Sequence, residues 1–246
     1  MSRCVEVLLG PPWSADVMRG AHVAVVDVLR ASTTIATALA NGAAGVIPVA
    51  DPADAIAVGH RLGRERVLFC GERDAQRIEG FDLDNSPASF GPSVVAGKTL
   101  VMTTSNGTRA LHAVAGAASV CTVALVNRTA AADVLAHADG DIVIVCAGEA
   151  NAFALEDAIG AGALVDALLT LVNRVELRDG ARAAALLYRS VAGRLADAIA
   201  SADHAQSLAQ KGFAPDVTRC AALDTLDVVP MLRDGVLVLS PAASPG

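Results

Sequence analysis

Val23-Ala-Val-Val-Asp-Val-Leu-Arg-Ala-Ser-Thr-Thr34 is an apolar, β-branched run that takes in two charges and passes directly into a small-residue, hydroxyl-rich stretch. It reads as a strand buried on both faces that stops at a polar turn and hands over at once to a helix. Leu100-Val-Met-Thr-Thr-Ser-Asn-Gly-Thr-Arg109 and Ile142-Val-Ile-Val-Cys-Ala-Gly-Glu-Ala-Asn151 repeat the arrangement. In open α/β sheets ligands gather beyond the carboxyl ends of strands, where helix N-termini present unpaired N–H groups to anions. Three such ends point to one shared anion site.

Outward from these stretches, further short apolar runs occur at Val5–Leu9, Val46–Val49, Val67–Cys70, Ser119–Leu125 and Val236–Leu239. Between them lie alanine- and leucine-rich segments with helical spacing, at Asp51–Leu62, Thr108–Ala115, Thr129–His137, Leu155–Leu171, Arg182–Ala200 and His204–Lys211. This alternation predicts an α/β fold, three-layered α/β/α, with a largely parallel or mixed central sheet. The chain of 246 residues, 53% hydrophobic, can bury one sizeable core, so residues 1–246 are read as one unit, with two closely packed halves also compatible. Gly71–Lys98 is the one long irregular stretch, which suits a functional loop over a site.

Formal charge is −7, and Lys98 and Lys211 are the only lysines, so no basic stripe exists to follow a nucleic-acid backbone. The five cysteines are scattered without a C-x-x-C pair, which excludes a zinc site or disulfide framework and suits a reducing cytoplasm. No basic region precedes an apolar core at the N-terminus, so no signal peptide is expected. Ala31–Ala50 is uncharged but contains Ser32, Thr33, Thr34, Thr37, Asn41 and Pro48, and reads as a buried helix, a turn and a strand, not a membrane span. Alanine-rich helices such as Ala183–Ala200 could bury a second subunit or the core; a homo-oligomer is left open.

Several residues carry chemistry. Asp27 and Arg30 interrupt a buried strand end, where an unpaired charge costs several kcal/mol, so they need each other, a metal or solvent in a cleft. Thr103-Thr-Ser-Asn-Gly-Thr108 is either a phosphate cradle or an ordinary N-cap with spare threonines. Glu156-Asp157, opening a long helix, either favours its dipole or holds a hard cation. Glu72-Arg73 follows a strand and is a second site pair or a solvated one. Asp82-Leu-Asp-Asn-Ser86 matches D-x-D-x-[ST], but Gln76–Gly80 before it is too polar for the buried strand that this nucleophile motif requires; the segment is kept as a loop over the site. Cys146 reads as core, and among the histidines only His204 is retained as an acid or base. No P-loop, Gly-x-Gly-x-x-Gly or Gly-x-Ser-x-Gly formula fits; Gly160-Ala-Gly162 falls inside a predicted helix.

Asp27-Val-Leu-Arg-Ala-Ser-Thr-Thr34, Gly71-Glu-Arg73, Phe81-Asp-Leu-Asp-Asn-Ser-Pro87, Thr103–Thr108 and Cys146-Ala-Gly through Phe153-Ala-Leu-Glu-Asp157, with Gly212, Asp216 and Val229-Pro230, together resemble the successive segments of the 2-phosphosulfolactate phosphatase family over roughly residues 3–240. The resemblance implies a magnesium-dependent phosphomonoesterase acting on (2R)-2-phospho-3-sulfolactate, a step of coenzyme M synthesis, on a layered α/β fold. It places Asp27, Arg30, Glu72 and Arg73 in catalysis and Ser32, Thr33, Ser86, Thr104, Ser105, Asn106, Gly107 and Thr108 at the substrate. Magnesium falls to Asp27, Glu156 and Asp157, with Glu72 a further carboxylate of the set. Either a metal-bound water or a carboxylate such as Asp27 attacks phosphorus. A phosphatase of another phosphorylated hydroxy acid, such as phospholactate or phosphoglycolate, is the first alternative, and a non-catalytic protein that binds an anionic metabolite is the second.

Overall fold

The computed structural model describes residues 3–114 and 116–239. The strands are β1 (Arg3–Leu8), β2 (His22–Val26), β3 (Gly45–Pro48), β4 (Val67–Arg73), β5 (Gln76–Arg77), β6 (Thr99–Thr103), β7 (Ser119–Val123), β8 (Ile142–Cys146), β9 (Val175–Leu177), β10 (Pro230–Arg233) and β11 (Val236–Leu239). The helices are α1 (Ala15–Met18), α2 (Ala31–Ala40), α3 (Pro52–Leu62), α4 (Pro92–Val95), α5 (Gly107–Ala113), α6 (Arg128–Ala136), α7 (Leu155–Leu171), α8 (Asp179–Val191), α9 (Leu195–Ala200), α10 (Asp203–Leu208) and α11 (Ala214–Cys220). All strands join one mixed sheet in the order β5-β4-β6-β3-β11-β10-β7-β2-β8-β1-β9.

Two parallel blocks, β4-β6-β3 and β7-β2-β8-β1-β9, are linked by the β10–β11 hairpin. The steps from β3 to β11, β11 to β10 and β10 to β7 are all antiparallel, so the blocks run in opposite senses across the joint. The joint is narrow: Leu237 faces Val46 on one side and Met231 faces Cys121 on the other. Strand twist of roughly 20–25° per step adds up to about 100–125° from β6 to β2, which swings the opposed carboxyl ends toward one another.

Alternation along the strands sends side chains to separate cores. Val23, Val25, Val143 and Val145 share a cluster with Leu100 and Met102 from the other block and with Ile35, Leu39, Ala110 and Leu111 of α2 and α5. The sheet thus curls around α2 and α5. Ala24, Val26, Ile142, Ile144 and Cys146 face the opposite way, with α6, α7 and α8, and Val67, Phe69 and Val101 pack with Ala55 of α3 on the outside of the smaller block. This explains the uncharged stretch 31–50. Every residue of α2 is buried except Thr37 and Ala40, so the helix has no face on which a charge could be solvated.

The expected α/β class and most elements coincide with the structure. The strand expected from Val23 onward begins at His22, ends at Val26 and becomes the turn carrying Asp27 and Arg30. The helix expected over Arg182–Ala200 is two, α8 and α9, parted at Ala192–Arg194; Ala184 and Ala185 of its alanine face are buried in the core. Ala115, the expected end of a helix, lies outside the described residues. The 71–98 stretch contains β5 and α4, short elements with no periodicity to reveal them. Among the described residues no helix is long and apolar enough to cross a membrane.

The glycines at 160 and 162 serve close packing. A Cβ at Gly160 would lie 2.7 Å from Val28 Cγ2, and one at Gly162 would meet the Ala184 carbonyl of α8. Gly162→Ala should therefore destabilise the fold by about 1–3 kcal/mol, overriding the ~1 kcal/mol by which alanine is the better helix former. Urea unfolding checks this, and a variant as stable as the parent would contradict the tight α7–α8 contact.

Candidate active site

The carboxyl ends of β2, β4, β6 and β8 open onto one cleft enclosing about 460 Å³, including its solvent-open mouth. Asp27 and Arg30 come from the turn after β2, Glu72 from the end of β4, Ser105 and Asn106 from the turn after β6, and Glu149 from the turn after β8. His204 of α10 and Lys211, just beyond it, close the far side.

Buried carboxylates tie these segments together. Asp157, on the first turn of α7, accepts the Val28 N–H at 2.8 Å and the Gly148 N–H at 2.9 Å, clamping the turns after β2 and β8. Glu72 accepts the Ser105 N–H at 2.8 Å and the Ala75 N–H at 3.0 Å, joining the turns after β6 and β4. Asp216 of α11 takes Arg30 at 2.9 Å on one oxygen and Ser86 Oγ at 2.7 Å on the other. Asn106 donates its side-chain N–H to Glu149 and so links the two blocks. Asp27 Oδ1 accepts the first N–H of α2, from Ala31, at 3.0 Å, and thus caps the helix. Its Oδ2 lies beside Gly107, where a Cβ would come within 2.6 Å; only glycine lets the start of α5 approach so closely.

Arg30 is held from three directions. One amino group meets Asp216, the other reaches the Ala75 carbonyl at 3.3 Å, and the guanidinium stacks 4.3 Å above the Phe213 ring. Gly212, with φ 93°, supplies the break between α10 and α11 that sets Phe213 in place. His204 Nδ1 pairs with Glu156 at 3.0 Å and lies 3.7 Å from Glu149, which leaves Nε2 without a partner among the described residues.

The cleft carries surplus negative charge. Burial pushes the Asp27 carboxyl up to about 7; the Ala31 N–H and His204 pull it down, while Glu156 and Glu72 push it further up. Burial, together with the charges of Asp27 and Glu156, holds Asp157 well above the ordinary carboxylate range despite its two N–H donors. Burial alone would lower the His204 imidazolium, but the Glu156 hydrogen bond and the charges of Glu149, Glu156 and Asp27 outweigh it, so His204 stays protonated above its ordinary range. Among the described residues no three His, Cys, Asp or Glu side chains form a ready metal cage. A magnesium needs only one or two carboxylates and keeps its waters. Asp27 Oδ2 and Glu149 Oε1, unbonded among the described residues, fit that requirement.

The sequence matches the family model described as 2-phosphosulpholactate phosphatase over residues 14–235. The chain belongs to the 2-phosphosulfolactate phosphatase family. It is 40% identical over 216 residues to a protein of Caldanaerobacter subterraneus subsp. tengcongensis, covering 88% of this chain and 89% of that one. It is 42% identical over 235 residues to one from Prochlorococcus marinus, covering 92% and 97%, and 40% identical over 215 residues to one from Thermotoga maritima, covering 87% and 90%. All three carry the name "probable 2-phosphosulfolactate phosphatase".

Of the residues that the family resemblance marks, Asp27, Arg30, Glu72, Thr104, Ser105 and Asn106 line the cleft. The others stand behind or outside it. Ser32 Oγ and Thr33 Oγ1 donate to the Val25 and Val28 carbonyls and hold the turn after β2. Ser86 supports Asp216, and Gly107 makes room for Asp27. Thr104 and Thr108 cap each other, Thr103 Oγ1 donates to the Ala50 carbonyl, and Ser105 Oγ reaches Glu72 at 3.3 Å. These bonds build the turn, and Thr104, whose Oγ1 accepts from Thr108 and donates to nothing among the described residues, still faces the cleft. Arg73 is exposed and points to Glu72 O and Thr103 Oγ1, outside the cleft. Glu156 and Asp157 are not on its wall, because one is committed to His204 and the other to two backbone N–H groups. Arg30 pairs with Asp216, not with Asp27. Asp74, Asn85, Glu149, Ser207 and Lys211 also line the cleft; Glu149 had a sequence signal as a charge at the third strand end, and Asn85 as part of the 81–87 segment expected over the site.

Asp27 makes stability depend on pH in a defined direction. Unfolded, its carboxyl ionises near 3.8; folded, it does so near 7, so folding takes up a proton between those values and stability falls as pH rises through that window. Asp27→Asn keeps the acceptor for Ala31 and removes the charge. In metal-free buffer it should raise the melting temperature at pH 8 and lose that advantage near pH 4; an advantage that does not vary with pH would rule out the buried charge as its cause.

Proposed function

We propose that this protein hydrolyses the phosphate ester of (2R)-2-phospho-3-sulfolactate, giving 3-sulfolactate and orthophosphate, with magnesium as its cofactor. The observation that carries the reading is the meeting, in one cleft, of an Asp27 oxygen free of partners, a locked Arg30 and a His204 with a free Nε2, in a chain whose relatives bear the phosphatase name. The substrate carries phosphate, carboxylate and sulfonate, while the wall presents Asp27, Glu72, Asp74 and Glu149 against Arg30, Lys211 and His204. Such a ligand requires added positive charge. Asp27 and Glu149 would hold a magnesium, whose bound charge would offset that of the phosphoryl oxygens.

The chain's own groups then divide the work. Arg30 retains N–H donors beyond those given to Asp216 and Ala75, and its fixed plane suits an oxyanion. His204, oriented by Glu156 through Nδ1, offers the Nε2 proton to the ester oxygen as the phosphorus–oxygen bond breaks. The Asp27 carboxylate acts at phosphorus, either by taking a proton from the attacking water or by attacking directly to give an aspartyl phosphate that water then hydrolyses. Mass spectrometry of acid-quenched enzyme distinguishes the two, since only direct attack leaves a phosphoryl group on Asp27. The five cysteines are all free thiols, which fits a cytoplasmic place and the coenzyme M step that the family resemblance implies.

Purified protein should release phosphate from phosphosulfolactate, lose that activity in EDTA and regain it with magnesium. Asp27→Asn should lower kcat by about 100-fold or more. Undiminished turnover in metal-free buffer would remove the metal role, and turnover that favours phospholactate or phosphoglycolate would reassign the substrate.

A further inference from the structure

One buried polar group on the cleft wall is used by nothing in the described protein. Asn85 is 4% exposed, lines the cleft, and has an Oδ1 shut off from solvent without a hydrogen-bond partner. Buried side-chain polar atoms in native proteins are nearly always bonded, so this orphan acceptor calls for a donor, or for a half-turn that exchanges it with the amide N–H. The surrounding chain is anchored at several points. The Asn85 carbonyl accepts from Thr34 Oγ1 at 2.9 Å, Asp84 Oδ1 takes the Ser86 N–H at 2.9 Å and Ser89 Oγ at 3.0 Å, and Ser86 Oγ is bonded to Asp216. These bonds anchor the loop on both sides of Asn85, while no bond holds its side-chain amide among the described residues.

Asp216 also couples Asn85 to Arg30, because its two oxygens hold the neighbour of one and the guanidinium of the other. Asn85 and Asp216 come from the loop after β5 and from α11, whereas Asp27, Asn106 and Glu149 come from the ends of β2, β6 and β8. An amide adds hydrogen bonds without adding charge, which suits an oxyanion bound beside the remaining N–H donors of Arg30. Carboxylate and sulfonate oxygens only accept, so the N–H end of the amide must meet them, and a half-turn of the side chain presents either end. We propose that Asn85 determines specificity: beside Arg30, its amide donates to the acidic group that the substrate bears in addition to its phosphate. The inference rests on the phosphatase reading of this cleft and adds a residue that reads the rest of the molecule.

Three substrates test it: phosphosulfolactate, 2-phospholactate and glycerol 2-phosphate, which has neither acid group. In Asn85→Ala, the ratio of kcat/KM for phosphosulfolactate over glycerol 2-phosphate should fall about 10-fold or more, mainly through KM, as expected for loss of a hydrogen bond to a charged group. Asn85→Asp, which keeps the shape and sets a carboxylate against an anion, should lower it further. A loss that persists with 2-phospholactate assigns the amide to the carboxylate, and one confined to phosphosulfolactate assigns it to the sulfonate. An unchanged ratio overturns the proposal, as does a melting temperature in both variants so reduced that the amide must have been bonded within the protein. Calorimetric binding of 3-sulfolactate, weakened in both variants, provides a readout independent of turnover. If the parent protein releases no phosphate from any substrate, the phosphatase reading fails, while the binding comparison still tests Asn85.

Discussion

The rim of the sheet is held together by carboxylates placed where carboxylates are costly. Asp157, Glu72 and Asp216 are each buried, and each bridges two segments far apart in sequence, through backbone N–H groups or through Arg30 and Ser86. Desolvating such a group costs several kcal/mol, and hydrogen bonds to a charged acceptor return about 1.5–3 kcal/mol each, so two good bonds offset much of the cost and one would not. The geometry of the cleft is therefore all or nothing. Removing one bridge leaves a buried charge unpaired and lets two strand ends drift, which couples the stability of the rim to the placement of Asp27 and Arg30.

This arrangement also explains why the sheet is built from two opposed blocks. A single parallel sheet would line up its strand ends along one edge and leave the cleft open on one side. Here the narrow β10–β11 joint lets the sheet twist and wrap around α2 and α5, so ends from both blocks face each other across a small space. Both central helices start at that space: α2 is capped by Asp27, and α5 begins with Gly107 against Asp27 Oδ2. Packing density at the centre and chemistry at the rim are consequences of the same fold.

Much of this was legible in the chain. Apolar runs interrupted by charge identified the turns after β2 and β8, and the uncharged 31–50 segment gave α2 and β3 because burial on all sides leaves no room for a charge. Less legible was what each polar residue does. The hydroxyls of 103–108 read as a ligand cradle or as an N-cap, and part of what they bond, Ala50 and Glu72, lies too far along the chain for a local pattern to record. Glu156-Asp157 looks like a cation site, yet both groups are claimed by partners that only the tertiary fold supplies; Val28 lies 129 residues from Asp157. Arg30 and Asp216 are 186 residues apart, a separation at which no local pattern records a pairing. Asn85 and Asp74 sit in an aperiodic loop, where exposure and burial cannot be told apart from sequence.

The remaining question is why the cleft is acidic when its ligand is an anion. Arg30 and Lys211 are already matched, to Asp216 and Asp74, so neither supplies net positive charge. His204 is matched in turn by Glu156, with Glu149 close by. What remains short of cations is Asp27, Glu72 and Glu149, and burial, with the charges of Glu156 and Glu72 behind it, raises the Asp27 carboxyl to about 7. A further arginine would have corrected this shortage permanently and paired with Asp27, occupying the oxygen that must stay free. A bound divalent cation corrects it only when present and leaves coordination positions for phosphoryl oxygens and water. With the proposed cation, the acidic wall would suit an anionic substrate, because cation and substrate would neutralise the site together and neither alone would.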